Sequence, residues 1–489
     1  MVVQAFSCGW KGIIMITDKS VQAVIREHID PVLEAIIQAL IGNGPQTQKA
    51  AYTEDAVTAA LAEALMISFV KSSAKPARAV TPDVFFAEAL ASALAATLAP
   101  ALAKMLAPAI VEVLSQLPSA KKERMTMKSL VGYEWPEGRC KQITYISQDR
   151  HIRELVVGIG GTWQHADLTM LAGASSAMNR FLVGYAWPEG GTKQVAYLGP
   201  DGHIHELSVS VGGNWQCADL SAITGAPSAV QVTTGYSWAA GHSKQVVFVG
   251  DDDHIHQLVV EMDRPWRHAD LTTLTSAPIP DSKCMVGYQW ARGQCQQIAY
   301  VGQDGHIHEL CLEAGKRWQH ADLTTLTNAP RATDLMVGYE WPEGQCKQVA
   351  FVGEDHHVHE LCLVAGDAWQ HADLSALTNA PLAMDVLTGY AWSQGRMKQI
   401  AYVGQDGHIH ELCGEIGGIW RHVDLTEMAH APITPIASIV GYAWSSNGSK
   451  QVAYVGNDGD IRELWMPLGG QWAYADLSQM VMAFPVWFS

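Results

Sequence analysis

A Gly-Tyr-x-Trp unit recurs seven times, with its tyrosine at Tyr133, Tyr185, Tyr236, Tyr288, Tyr339, Tyr390 and Tyr442, in steps of 51 or 52 residues. A period of this length marks a fold built from one supersecondary unit repeated, each copy unable to cover its own apolar faces and obliged to stack on its neighbours. The seven units run from Val131 to about Ser489.

Each unit holds four segments of strand length, which copy four shows as Val286 to Trp290, Gln297 to Gly302, His306 to Glu313 and Trp318 to Thr324. The intervening Ala291-Arg292-Gly293, Gln303-Asp304-Gly305 and Ala314-Gly315 supply the glycines and the Asp-Gly pair that tight hairpins use. In Lys193 to Leu198, Val195 and Tyr197 point to one face while Ala196 and Leu198 point to the other. Both faces are apolar, unlike a sheet with one wet side. The pattern predicts an all-β seven-bladed β-propeller over 127–489, with four antiparallel strands per blade and one repeat per blade. The last segment, Ala483 to Phe488, is expected to add a strand beside the first blade and lock the circle.

Residues 1–126 lack the repeat and are rich in Ala and Leu. Capping residues and glycine or proline stops predict an α-helical domain with helices at about 18–41, 54–71 and 82–117. Ala89 to Ala103 is uncharged but only 15 residues long, short of the roughly 18 apolar residues of a membrane span. It reads as a bundle or oligomerisation helix, with membrane contact as the sharper alternative. The formal net charge of −17 disfavours nucleic acid and anionic lipid as partners, because both would repel the chain. The start of the chain lacks the features of a secretory signal, so cytoplasmic synthesis is expected, with release by a non-classical route left open. Nine cysteines do not make a dense disulfide framework, and Cys311, Cys362 and Cys413, at one place in successive copies, read as small buried side chains.

Every copy keeps a second tryptophan (Trp163, Trp215, Trp266, Trp318, Trp369, Trp420, Trp472) and an aspartate (Asp167, Asp219, Asp270, Asp322, Asp373, Asp424, Asp476), which read as scaffold. The first tryptophan, Trp135, Trp187, Trp238, Trp290, Trp341, Trp392 or Trp444, ends a strand before a variable loop. Its indole is either a wedge between blades or a platform for the C–H face of a sugar. The second histidine of His-x-His, present as His205, His256, His308, His359 and His410, is either a structural hydrogen-bonding group or a ligand contact. Copies one and seven place Arg153 and Arg462 there, and copy two has Cys217 before its Ala-Asp-Leu, a variability that argues against a metal site. No metal or cofactor is expected. Catalysis needs one asymmetric constellation, whereas this chain repeats the same groups, and no phosphate loop, nucleophile elbow or zinc-protease motif is present, so no enzyme is expected.

The string Gly-Tyr-x-Trp, then Lys-Gln-Val-Ala-Tyr-Val-Gly-x-Asp-Gly-His-Ile-His-Glu-Leu, Gly-Gly-x-Trp-x-His-Ala-Asp-Leu-Thr and Ala-Pro resembles the seven-bladed propeller lectins of Photorhabdus-type bacteria. The resemblance covers Val131 to about Leu477. It implies weak, multivalent binding of fucosylated or O-methylated glycans in shallow pockets between blades, with the first tryptophans and the five histidines as candidate sugar contacts, and altered pockets beside blades one and seven. A lectin with a helical partner domain would fit a toxin or defence protein. The alternative is a non-catalytic propeller that scaffolds proteins.

Overall fold

The computed structural model describes residues 130–433, 436–456 and 458–487. These form seven four-stranded antiparallel sheets, each with its strands in sequence order, and together they are a seven-bladed β-propeller. In the first blade the strands are β1 (Leu130–Trp135), β2 (Cys140–Ile146), β3 (Ile152–Gly158) and β4 (Gln164–Asp167), followed by the short helix α1 (Leu168–Ala172). The other six blades repeat this order. The helices expected at 18–41, 54–71 and 82–117, and the apolar stretch 89–103, lie outside the described residues.

The second strand of each blade is buried on both faces, as the two-sided apolar pattern requires. Hydrophobic clusters therefore form between blades; one joins Tyr185 and Ala196 to Val246 and Phe248. The Gly-Tyr pair is part of the same packing. A Cβ on the repeat glycine would lie 2.1–2.6 Å from the tyrosine ring of the preceding blade, from Gly184 on Tyr133 round to Gly132 on Tyr442. Each tyrosine thus lies on its neighbour's bare backbone. Gly338→Ala is expected to cost about 1–3 kcal/mol through overpacking against buried Tyr288, read as a lowered thermal or urea midpoint.

The Ala-Asp-Leu-Thr/Ser motif makes the outer corner. Asp167 caps α1 by accepting the Met170 N–H at 2.9 Å, Leu168 is fully buried, and Thr169 Oγ1 accepts the Ile152 N–H at 2.8 Å. The chain then crosses to the next blade: Ala229 N–H donates to Gly202 O, and Asp251 N–H donates to Ser228 O.

The ring closes without strand exchange. After the last blade, Val486 N–H donates to Gly459 O while Gln148 N–H donates to Pro485 O, both at 3.1 Å, and Trp487 N–H donates to Ile146 O at 2.9 Å. These bonds reproduce the crossing between covalently linked blades. The expected additional strand is one antiparallel bridge, Ser147 to Val486, because the segment occupies the position of a linker and not that of a strand. Val486 is fully buried, and the Arg153 guanidinium lies 4.1 Å from the Phe484 ring centroid. On the axis, the first strands enclose a cavity of about 210 Å³ lined mainly by aliphatic side chains such as Val131, Leu182, Val337 and Ile439.

Candidate functional site: the seams between blades

At six of the seven seams a buried lysine from the second strand of one blade meets a glutamate from the third strand of the blade before it. The pairs are Lys141–Glu463, Lys193–Glu154, Lys244–Glu206, Lys347–Glu309, Lys398–Glu360 and Lys450–Glu411. Both carboxylate oxygens of Glu463, Glu154, Glu309 and Glu360 accept from the ammonium at 2.7–2.8 Å. Each lysine Nζ also lies 4.9–5.5 Å from two indole centroids, the first tryptophan of the preceding blade and the second of its own, within cation–π range. Burial pushes Glu154, Glu309 and Glu360 up and Lys141 down, opposed in each case by the partner charge.

The seam between blades three and four replaces both charges at once. Gln257 stands where the others have glutamate and Gln296 where they have lysine, and Gln296 Oε1 accepts from Tyr236 Oη at 2.9 Å and from Gln257 Nε2 at 3.2 Å. One substitution alone would have buried an uncompensated charge.

Seams also differ at the residue between tyrosine and the first tryptophan, which faces the first-to-second-strand turn of the preceding blade. Glu134 accepts the Ser445 and Ser446 N–H groups at 2.9 Å, Gln289 accepts the Ala239 N–H at 3.0 Å, and Glu340 accepts the Ala291 N–H at 2.9 Å. The other four seams place small Ala186, Ser237, Ala391 and Ala443 there. Three of those turns begin with proline, Pro136, Pro188 and Pro342, which has no N–H to cap.

The histidines organise the opposite end of blades one to six. The first histidine of His-x-His bonds through Nδ1 to the Ala-Asp-Leu aspartate, as in His306 to Asp322 at 2.9 Å. In blades three to six the second histidine bonds through Nε2 to the Asp of the turn and through Nδ1 to the third histidine; His308 meets Asp304 at 3.2 Å and His320 at 3.0 Å. Arg153 and Arg462 fill the place in blades one and seven and pair with Asp149 and Asp458.

Burial pushes the third histidines His165, His268, His320, His371 and His422 down, helped by Arg153 at His165 and by the second histidine at the others. A histidine whose folded pKa lies below its unfolded value of about 6.5 contributes stability present above that pH and lost as pH falls. His203 and His254 are raised by hydrogen bonds to Asp219 and Asp270, so their contribution is present below about 6.5 and lost as pH rises through the folded value. The five lowered groups are expected to lower the urea midpoint as pH falls from about 7.5 to about 5.5, opposed by the two raised ones. Asp270 and Asp322, brought to about 2 against burial by hydrogen bonds from Thr273 and Thr325 and from His254 and His306, add a second loss below about pH 4.

The structure does not bring the two sets of candidate sugar contacts together. Trp187 pairs with Thr192 and His205 with Tyr197 on the same strand, Thr192–Leu198, five residues or about 16 Å apart. His205, His256, His308, His359 and His410 are buried, and in the last four both ring nitrogens are engaged. The seven first tryptophans lie at the seams, six of them buried and Trp187 half-buried. Their indole N–H groups are enclosed and have no partner among the described residues. The second tryptophans, read as scaffold, are the accessible ones: all but Trp472 are half-buried. The lysine–glutamate pair was missed, although the paired change at Gln257 and Gln296 in neighbouring copies is a readable sign of contact.

No family model matches the chain, and no curated protein matches it in sequence. Among solved structures it is similar to the BP39L lectin from Burkholderia pseudomallei, with a TM-score of 0.56 and 12% identity over 71% of this chain and 98% of the other. A variant of the Aleuria aurantia lectin in complex with alpha-methyl-L-fucoside matches with a TM-score of 0.39 and 15% identity, over 60% of this chain and 93% of that one. SapL1 lectin, in complex with alpha methyl fucoside, also gives 0.39, at 13% identity over 73% and 96%. At these identities what is shared is the fold, and the likeness to BP39L carries it.

Proposed function

We propose that the propeller is a multivalent, non-catalytic lectin whose sites lie at the blade seams and take fucosylated or O-methylated glycans. The observation that carries this reading is the pair of indoles repeated at every seam, one buried, apart from half-buried Trp187, and the other, apart from Trp472, partly open to solvent. A partly exposed indole beside fixed polar groups suits a sugar's C–H face and hydroxyls. BP39L, itself a lectin, agrees with it, and the choice of sugar rests on the resemblance of the repeat. Four seams, with Ala186, Ser237, Ala391 and Ala443, leave the turn uncapped and are the stronger sites; those closed by Glu134, Gln289 and Glu340 are weaker.

The test is a glycan array with the full-length protein, competed with free sugar. Trp420→Ala, at the seam between blades five and six, is expected to lower avidity several-fold without abolishing it, since the other sites remain. Absence of binding by correctly folded protein would overturn the reading. One observation favours a protein partner instead: Leu171, Ile223, Leu274, Leu326, Leu377, Met428 and Met480 place one aliphatic side chain per blade more than half exposed. A pull-down would then replace the array. For residues 1–126 we propose oligomerisation or membrane action, as in a toxin or defence protein; sedimentation and liposome leakage by the full-length chain test the two.

A further inference from the structure

Blades four and five carry a feature the sugar reading does not use. Cys295 on the second strand of blade four lies diagonally across from Cys311 on the third, since Cys295 pairs with Glu313 and Gln297 with Cys311. Alternation places these thiols and Gln297 on one face. The Gln297 Nε2 group donates to Cys295 Sγ at 2.7 Å and reaches Cys311 Sγ at 3.9 Å, so one amide nitrogen lies within 4 Å of both thiols. Blade five repeats the arrangement with Cys346, Cys362 and Gln348. All four cysteines are free thiols, and Cys311 and Cys362 are partly open to solvent.

Diagonal neighbours on antiparallel strands have Cα atoms about 7–8 Å apart, beyond the roughly 4.4–6.8 Å that a disulfide spans. A metal ion between the sulfurs adds two bonds of about 2.3 Å each, the length known for zinc–thiolate contacts, and removes that constraint. We propose that Cys295 with Cys311, and Cys346 with Cys362, form two dithiolate sites for a soft monovalent ion of the Cu(I) or Ag(I) class, which thiolates select. Binding converts two thiols and one ion into a bis-thiolate complex of charge −1 and releases two protons, with no change of oxidation state.

The experiment loads reduced full-length protein with Ag(I), follows proton release in thiol-free buffer, and counts by native mass spectrometry the ions retained after challenge with excess glutathione. Retention of two ions per chain and release of two protons per ion is expected. Cys311→Ser should hold one ion and the double variant with Cys362→Ser none, while Cys413→Ser, a single thiol at the same position in blade six, should still hold two. Blade two places Ser208 at this position naturally, so serine is compatible with the fold, and Cys295→Ser gives an independent removal of the same site. No ion retained by the parent protein, or a count unchanged by both Cys311→Ser and Cys295→Ser, would overturn the proposal.

Discussion

Glu309→Gln alone is expected to destabilise the propeller by about 3–5 kcal/mol, the cost of leaving one buried charge without its partner. Lys347 would remain between Trp290 and Trp369, its Nζ 5.5 and 5.0 Å from the two ring centroids, with its hydration lost and no carboxylate to replace it. The double variant Glu309→Gln with Lys347→Gln should recover most of that loss, because it recreates the neutral Gln257–Gln296 seam that the same ring already contains. Urea unfolding of the parent, both single variants and the double variant gives the coupling directly. A double variant whose loss equals the sum of the two single losses would show that the lysine and glutamate do not depend on each other.

Ending the chain after Met482 should remove the closure and cost about 5 kcal/mol. That figure combines burial of the Val486 side chain, about 1.5–3 kcal/mol, with three backbone hydrogen bonds at about 1 kcal/mol each. Loss of Phe484 also uncovers Arg153, which stacks on it. The measurement is the thermal midpoint, with amide exchange in blades one and seven expected to accelerate before the other blades respond. A truncated chain as stable as the parent would show that the packing of Tyr442 on the Gly132 backbone and the Lys141–Glu463 pair are enough to hold the ring.

The propeller was legible because its evidence is periodic: seven Gly-Tyr-x-Trp units, Asp-Gly turns and two-sided apolar strands all specify blades stacked on blades. The seams were less legible. Exposure depends on what the neighbouring blade brings, so strand position alone left the first tryptophan as either wedge or platform and read the second as scaffold, and the structure shows the second as the more accessible. Trp135 ends its strand as expected, yet the turn behind it folds over the ring, and a Cβ on Gly138 would meet the ring at 2.3 Å. The histidines looked like one candidate site with the tryptophans because they recur with the same period. A period gives no position along the strand, and the register puts them at opposite ends.

Each blade is one uninterrupted stretch of chain, and the closing segment repeats the geometry of an ordinary linker. The unit of folding is therefore also a possible unit of gene duplication: a copy of one repeat enters the sequence with its strands, its outer corner and its connection intact. The same property makes the position of the seam arbitrary. A circular permutant that joins Trp487 to Leu130 through a short linker and opens the chain at Asn379 should rebuild the same ring, with its only non-covalent junction moved to between blades five and six.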